Sequence, residues 1–232
     1  MEVKEAYEIM SEDYDNHRNR SPYFKIIEGL TRRCFYENTK NKTFSRGLDI
    51  GCGTGRNIPF FLEKCKRVEG MDYTPGMLKN AQQTFREFKN VHLMIGDVQS
   101  LPFSDKAFDL VGCFKVLPHV PGVDKSLKEI SRVSRKGSTI FLEFYSPYSF
   151  RRLLNRMPHY TKWHSVKNVT QLIKNANLKV IKIYGARTFM ITEYLCYLPG
   201  GYFLFNFLEN FFTNTLLNRF SGYYIVVCEK QI

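Results

Sequence analysis

Residues 47–57 read Gly-Leu-Asp-Ile-Gly-Cys-Gly-Thr-Gly-Arg-Asn. A short apolar run enters three glycines at alternate positions and leaves into a stretch that can form a helix. Glycine has no Cβ and accepts positive φ, so a turn of this kind lets backbone approach a ligand closely. The helix N-terminus beyond it favours negative charge, such as a carboxylate. The glycines are Gly51, Gly53 and Gly55, spaced G-x-G-x-G and preceded by Asp49. That spacing is neither the G-x-G-x-x-G of dinucleotide folds nor the G-x-x-x-x-G-K-[ST] of phosphate loops.

From Leu48 onward, short apolar strands alternate with amphipathic stretches. Strands are expected at "GLDIG", "RVEGMD", "VHLMIG", "FDLVGCF", "TIFLEF", "LKVIKIYG" and "GYYIVVCEK". Helices are expected near 56–65, from about Pro75 to Phe88, near 124–134 and near 165–175. The alternation predicts βαβ units and a mostly parallel sheet. Pro75 suits a first helical turn, Ser165 an N-cap, and Lys136-Gly137 the close of the helix before "STIFLEF". Residues 1–45 read as a polar helical cap broken at Ser21-Pro22. With no repeat or low-complexity linker in view, residues 1–232 are expected to form a single domain. Within it, 145–165 and 186–221 would be acceptor-side or lid segments.

In 201–220, Asn206, Asn210, Asn214 and Asn218 fall four apart, and Phe203, Phe207, Phe211, Phe212 and Leu216 occupy the other side. This predicts an amphipathic helix with a wide apolar face, packed on the core or roofing a pocket. A dimer interface and a membrane-surface contact are the other readings of that face. It holds too many polar residues to span a bilayer.

The strand ends carry acids. Asp72 closes the second strand, where an acid can take both ribose hydroxyls. Asp97 and Val98 follow the third, where a carboxylate can accept from an exocyclic amine and an N–H can face a ring nitrogen. All four strand ends lie on one edge of the predicted sheet, the edge where such folds bind ligands. In combination, "LDIGCGTG", "GMDYTPGML", "GDVQSLPF" and "FDLV" strongly resemble the class I S-adenosylmethionine-dependent methyltransferases. The likeness is greatest to the group of small-molecule, quinone and sterol methylases. The resemblance covers about Tyr14 to Lys182 and the final strand. It implies an α/β, three-layer Rossmann-like sandwich with a seven-stranded, mostly parallel sheet and an antiparallel last strand. It implies S-adenosylmethionine as cofactor. Gly51, Gly53 and Gly55 would lie under its methionine part, with Asp49 orienting that region. Asp72 would hold the ribose, Tyr73 and Met77 would flank the adenosine, and Asp97 and Val98 would read the adenine edge. Phe114 would lie near the sulfonium.

Methyl transfer from such a cofactor is an in-line displacement governed by positioning, and a base is needed only if the acceptor loses a proton. The catalytic candidates are His119, just beyond the fourth strand, and Tyr14, in a segment resembling the family's N-terminal lid. His17 reads as a solvated residue. Arg151, Arg152, Tyr160, Trp163 and His164 lie where the resemblance expects the acceptor pocket. Between Glu143 and Glu193 there is no Asp or Glu, and Arg151, Arg152 and Arg156 in that interval suit an anionic acceptor.

The chain has 34 Lys+Arg against 22 Asp+Glu, a formal charge of +12. This charge favours anionic partners and keeps an RNA acceptor open as an alternative, although no basic–aromatic recognition module is visible. A non-catalytic binding protein is the second alternative. The six cysteines show no C-x-x-C spacing, which argues against a zinc site, and no metal is expected. The charged first residues have no apolar signal core, so a cytoplasmic protein with reduced thiols is expected. The partner expected is a small-molecule acceptor, and the protein is expected to be a monomer or a homodimer.

Overall fold

The computed structural model describes residues 2–148, 160–186, 198–212 and 221–231. Its centre is strand β1, Phe44–Ile50, hydrogen-bonded in parallel to β2 (Cys65–Asp72) on one side and to β4 (Phe108–Cys113) on the other. β3 (Val91–Ile95) extends the sheet beyond β2, and β5 (Ser134–Tyr145) extends it beyond β4. The last strand, β7 (Tyr223–Lys230), inserts antiparallel between β5 and β6 (Leu178–Ala186). The order is β3-β2-β1-β4-β5-β7-β6, seven strands with the final one reversed, as the resemblance implied.

A central strand covered on both faces buries its residues on both sides, and Gly47, Leu48 and Ile50 supply apolar surface there while Asp49 is the one acid among them. Leu48 and Ile50 pack with Met71, Val111, Leu127 and Ile130 on one face. The other face carries Phe61, Val68, Leu110 and Phe141, with the Phe35 ring stacked on Phe141 at 5.3 Å. Helix α6 (Val123–Val133) buries Val123, Leu127, Ile130 and Val133, the spacing of one helical stripe. α3 (Pro22–Thr39) and α4 (Ile58–Leu62) cover the opposite face. Two helices, α1 (Val3–Met10) and α2 (Tyr14–Arg20), precede α3. The break between α2 and α3 falls at extended Ser21, with Pro22 in the first turn of α3. α5 is Pro75–Phe85 and α7 is Val166–Asn175. The Ser165 hydroxyl caps α7 by accepting the Asn168 N–H.

Four expectations are corrected. α4 is a single short turn, because the chain must enter β2 at Cys65 to pair with Phe44. α5 stops at Phe85, and the Phe88 N–H turns back onto the Phe85 carbonyl at 3.0 Å. Gly137 does not close α6. That helix ends at Val133, where the Ser134 hydroxyl donates to the Ile130 carbonyl at 2.6 Å. Gly137, with φ +74°, sits inside β5, where the pairing jumps from Phe108↔Ser134 to Leu110↔Thr139. The extra β5 residues bulge out, and glycine supplies the positive φ the bulge needs.

The fourth correction concerns α8, Gly201–Phe212, the described part of the predicted 201–220 helix. Its inward residue is Phe205, 1% exposed, packed with Ile26, Ile27, Leu30 and Tyr223. Phe203, Phe207 and Phe211 face outward at 76%, 65% and 58% exposure, so this part of the stripe expected to pack inward is exposed, and Leu216 lies outside the described residues. Among the described residues no helix is long and apolar enough to cross a membrane.

Candidate cofactor and acceptor site

The carboxyl ends of β1, β2 and β4, together with the loops after β3 and β4, open onto one cavity of about 520 Å³. Its floor is the glycine turn. The Gly51 and Cys52 N–H groups both donate to the Met71 carbonyl, at 2.7 and 3.0 Å, which ties the turn to β2. Gly51, Gly53 and Gly55 all take positive φ, at +70°, +56° and +87°. Each glycine is required for a different reason. A Cβ on Gly51 would stand 2.0 Å from Val116 Cγ2, and one on Gly55 would stand 2.5 Å from the Phe85 ring. Nothing lies within 4 Å of the Cβ position at Gly53, so its backbone faces open space. That opening is the cradle a bound group would occupy.

Asp72 is shared between fold and cavity. Its Oδ2 accepts the Gly53 N–H at 2.8 Å and its Oδ1 accepts the Thr74 N–H at 2.8 Å. Burial raises its pKa, and those backbone N–H groups oppose the rise. Asp97 accepts the Gln99 N–H at 2.9 Å and lines the wall with Val98, Tyr73, Met77 and Phe114. The predicted cofactor residues therefore converge on one surface, with two exceptions. Gly55 lies behind the wall, and Asp49 is sealed in the sheet at 0% exposure. Neither Asp49 oxygen has a hydrogen-bond partner, and burial, with Asp72 second, pushes its pKa well up. Burial in that position disfavours the ionised carboxylate.

Both catalytic candidates line the cavity. His119 ends a 3₁₀ turn, Leu117–His119, and is 6% exposed. Its Nδ1 lies 3.2 Å from the Tyr160 carbonyl, a geometry in which Nδ1–H donates and Nε2 is the basic nitrogen. The Tyr145 and Tyr7 rings meet His119 edge-on at 5.5 and 6.1 Å. Tyr14 opens α2, and Tyr160 lies beside His119.

Trp163 and His164 do not reach the cavity. Trp163 packs on Tyr145 at 5.6 Å. His164 is buried, bonded through Nδ1 to Asn168 Oδ1 at 2.8 Å, and burial lowers its pKa. Both hold the chain after β5 in place. Arg151, Arg152 and Arg156 lie outside the described residues. Cys113 is fully buried, and its thiol pKa is pushed up by burial.

Four of the lining residues not foreseen as site residues bring charge or a hydroxyl to the cavity. Tyr7 comes from α1, Arg18 from α2, Lys115 from the turn after β4 and Glu143 from β5. α1 crosses the cavity as a strap. Glu8 accepts the Gly76 N–H at 3.1 Å, Asn80 donates to the Ser11 carbonyl at 2.9 Å, and Lys4 Nζ sits 4.8 Å over the Tyr73 ring. Arg56 fixes α2 and α3 to the glycine turn. It meets Asp15 at 3.0 Å, Asn19 at 3.0 Å and Glu28 at 2.8 Å.

Residues 48–142 match the family model described as "Methyltransferase domain". The chain is 29% identical over 143 residues to demethylmenaquinone methyltransferase of Staphylococcus haemolyticus, covering 60% of this chain and 59% of that protein. It is 34% identical over 106 residues to malonyl-[acyl-carrier protein] O-methyltransferase of Serratia marcescens, covering 46% and 40%. The chain thus spans less than two thirds of the length of these relatives. In fold it is similar to N-methyltransferase NodS of Bradyrhizobium japonicum, solved with S-adenosyl-L-homocysteine. The TM-score is 0.71, at 12% identity and 99% coverage of both chains.

Proposed function

We propose that the chain is a class I S-adenosylmethionine-dependent methyltransferase that transfers the cofactor's methyl group to a small-molecule acceptor, anionic or amphiphilic, by in-line displacement. The observation that carries this reading is the convergence of Gly53, Asp72, Asp97 and Phe114 with Tyr14, His119 and Tyr160 on a single cavity. Bound there, S-adenosylmethionine supplies an electrophilic methyl on a sulfonium. In this reading Asp72 takes the ribose hydroxyls, Asp97 and the Val98 N–H read the adenine edge, and the open backbone at Gly53 admits the methionine portion.

The chain's own contribution is orientation and exclusion of water. The α1 strap and the rings of Tyr7, Tyr14 and Tyr160 narrow the opening, so that donor and acceptor meet in a dry, fixed geometry. His119, held at Nδ1 by the Tyr160 carbonyl, is the group placed to take a proton from an acceptor that must lose one. The names of the staphylococcal and Serratia relatives favour a metabolite over RNA as acceptor.

The test uses methyl-labelled S-adenosylmethionine with the protein and a host extract, partitioned into organic, small aqueous, RNA and protein fractions. An Asp72→Ala reaction sets the background. Label should appear in an organic or small aqueous fraction. Label confined to RNA or protein would overturn the acceptor assignment.

A further inference from the structure

We propose that Arg18 and Lys115 form an anion-binding subsite that receives the carboxylate or phosphate group of the small-molecule acceptor. The inference rests on the methyltransferase reading above and deepens it by naming the residues that recognise the acceptor.

Arg18 is 8% exposed, yet it makes no ion pair with any described residue. Its guanidinium lies against two rings, 4.5 Å from the centroid of Phe24 and 5.5 Å from that of Tyr14, and its buried Nε has no hydrogen-bond partner. Removing a guanidinium from water without a paired acid is costly, and aromatic faces recover only part of that cost. Lys115 faces the same cavity from the turn after β4, with φ +58°, a backbone state that lysine rarely adopts. It too has no ion pair among the described residues. Burial lowers its pKa to about 8, with Arg18 the next cause, so the two cations act on each other.

The neighbouring charges do not remove this excess at Arg18 and Lys115. Arg56 is already held by Asp15 and Glu28. Glu143, buried in β5, and Glu28 act on Lys115 beyond ion-pair distance. Sheet order separates this end from the nucleoside end. Asp72 and Asp97 follow β2 and β3 on one side of β1, whereas Lys115 and Glu143 belong to β4 and β5 on the other. An oxyanion entering by β4 would meet both cations, and the Arg18 fork suits carboxylate and phosphate alike.

The same chemistry could come from the carboxylate of the cofactor's amino-acid tail, so the experiment separates the two sources. Full-length protein is saturated with S-adenosylhomocysteine and titrated calorimetrically with benzoate and with inorganic phosphate. The same is done for Arg18→Gln and for Lys115→Asn, the latter chosen because asparagine tolerates positive φ. Each protein is also titrated with S-adenosylhomocysteine and with 5′-methylthioadenosine, which lacks the tail. The expected result is anion binding to the loaded wild type. Each variant should weaken it about tenfold, with the affinity for S-adenosylhomocysteine changed less than about threefold.

Variants that lose S-adenosylhomocysteine but keep methylthioadenosine would assign the cations to the cofactor tail and overturn the proposal. A loaded wild type that binds neither anion would also overturn it. A wild type that binds no S-adenosylhomocysteine would sink the parent reading and this one with it, and that failure is visible before any anion is added.

Discussion

Two arginines mark two ways of using charge in this molecule. Arg132, beside the loop that leads to β4, is saturated. Its Nε and Nη2 each meet Glu129 at 2.8 Å, and its Nη1 meets Asp105 at 2.8 Å. The same guanidinium donates to the carbonyls of Phe103 at 2.7 Å and Leu101 at 2.9 Å, while Glu129 accepts the Leu101 N–H at 2.8 Å. Arg18 is more deeply buried, and among the described residues its guanidinium lies against rings and pairs with no acid. The cluster of Arg132, Glu129 and Asp105 by α6 matches its charges because its task is to hold a loop. The cavity edge leaves the Arg18 and Lys115 charges without a paired acid among the described residues, and such groups in a pocket are what a ligand can complete.

The sharpest way to break this contrast is at Asp72, the residue that serves both purposes. Asp72→Ala removes the acceptor for the Gly53 and Thr74 N–H groups as well as the proposed ribose contact. S-adenosylhomocysteine affinity should fall by about a hundredfold, since charge-assisted bonds are lost and buried N–H groups are left unpaired. Calorimetric titration checks it. Retained affinity would mean that the glycine turn holds the ligand without this acid.

Arg132→Ala should do the reverse. The variant should lose about 2 kcal/mol of stability in denaturant unfolding, because two carbonyls and two carboxylates lose one donor together. Its S-adenosylhomocysteine affinity should match wild type. A binding defect there would show that the flank and the cavity are coupled and that the division drawn above is too simple.

What the residues alone revealed follows the same division. The turn at Gly51–Gly55 and the acids Asp72 and Asp97 are local events at strand ends, and local patterns are legible in a linear sequence. Tyr7, Arg18 and Glu143 reach the cavity from α1, α2 and β5, so only the assembled sheet and cap bring them together. Lys115 was visible only as an unexpected residue after Phe114. Its meaning needs the positive φ and the facing arginine. On α8 the four-residue period correctly marked a stripe of phenylalanines but could not say which side faces in. The core took Phe205, outside that stripe, because α3 offers Ile26, Ile27 and Leu30 at that point. Trp163 and His164 were placed in the acceptor region by chain position, yet a bridge between Tyr145 and Trp163 draws them into the structure behind it.

Titration sharpens the comparison at a smaller scale. Asp49 and Glu129 are both carboxylates, and their pKa values move in opposite directions. Burial raises Asp49, while hydrogen bonds from Arg132 lower Glu129. For Asp49 the folded state prefers the protonated form, so its contribution to stability grows as pH falls through its raised folded value. For Glu129 the contribution is present above the ordinary carboxylate range and is lost as pH falls through its depressed folded value. Asp49→Asn should therefore be more stable than wild type at high pH, with the gap closing as pH falls. The slope cannot exceed about 1.4 kcal/mol per pH unit for one proton. Glu129→Gln should be less stable than wild type at neutral pH, with its deficit shrinking in acid. Unfolding curves across pH for both variants would read the two signs directly, and parallel slopes would refute the assignment.

The smallest expected effect is the most telling about the cavity edge. Lys115 combines a left-handed backbone with a partly desolvated charge near Arg18. Neither feature helps the fold. Lys115→Asn should relieve part of the backbone strain and all of the repulsion, raising stability by about 0.5–1 kcal/mol. The sign with pH is fixed by the lowered pKa. Below about 8 the native lysine is charged and its cost is fully present. As pH rises from there towards the ordinary lysine range, the native side chain is neutral while the unfolded one is still charged, so wild type gains stability and the variant's advantage shrinks. A substitution that stabilises the protein while weakening anion binding would set Lys115 beside Arg18 as a residue retained for what enters the cavity. Loss of stability at every pH would return it to the class of Arg132.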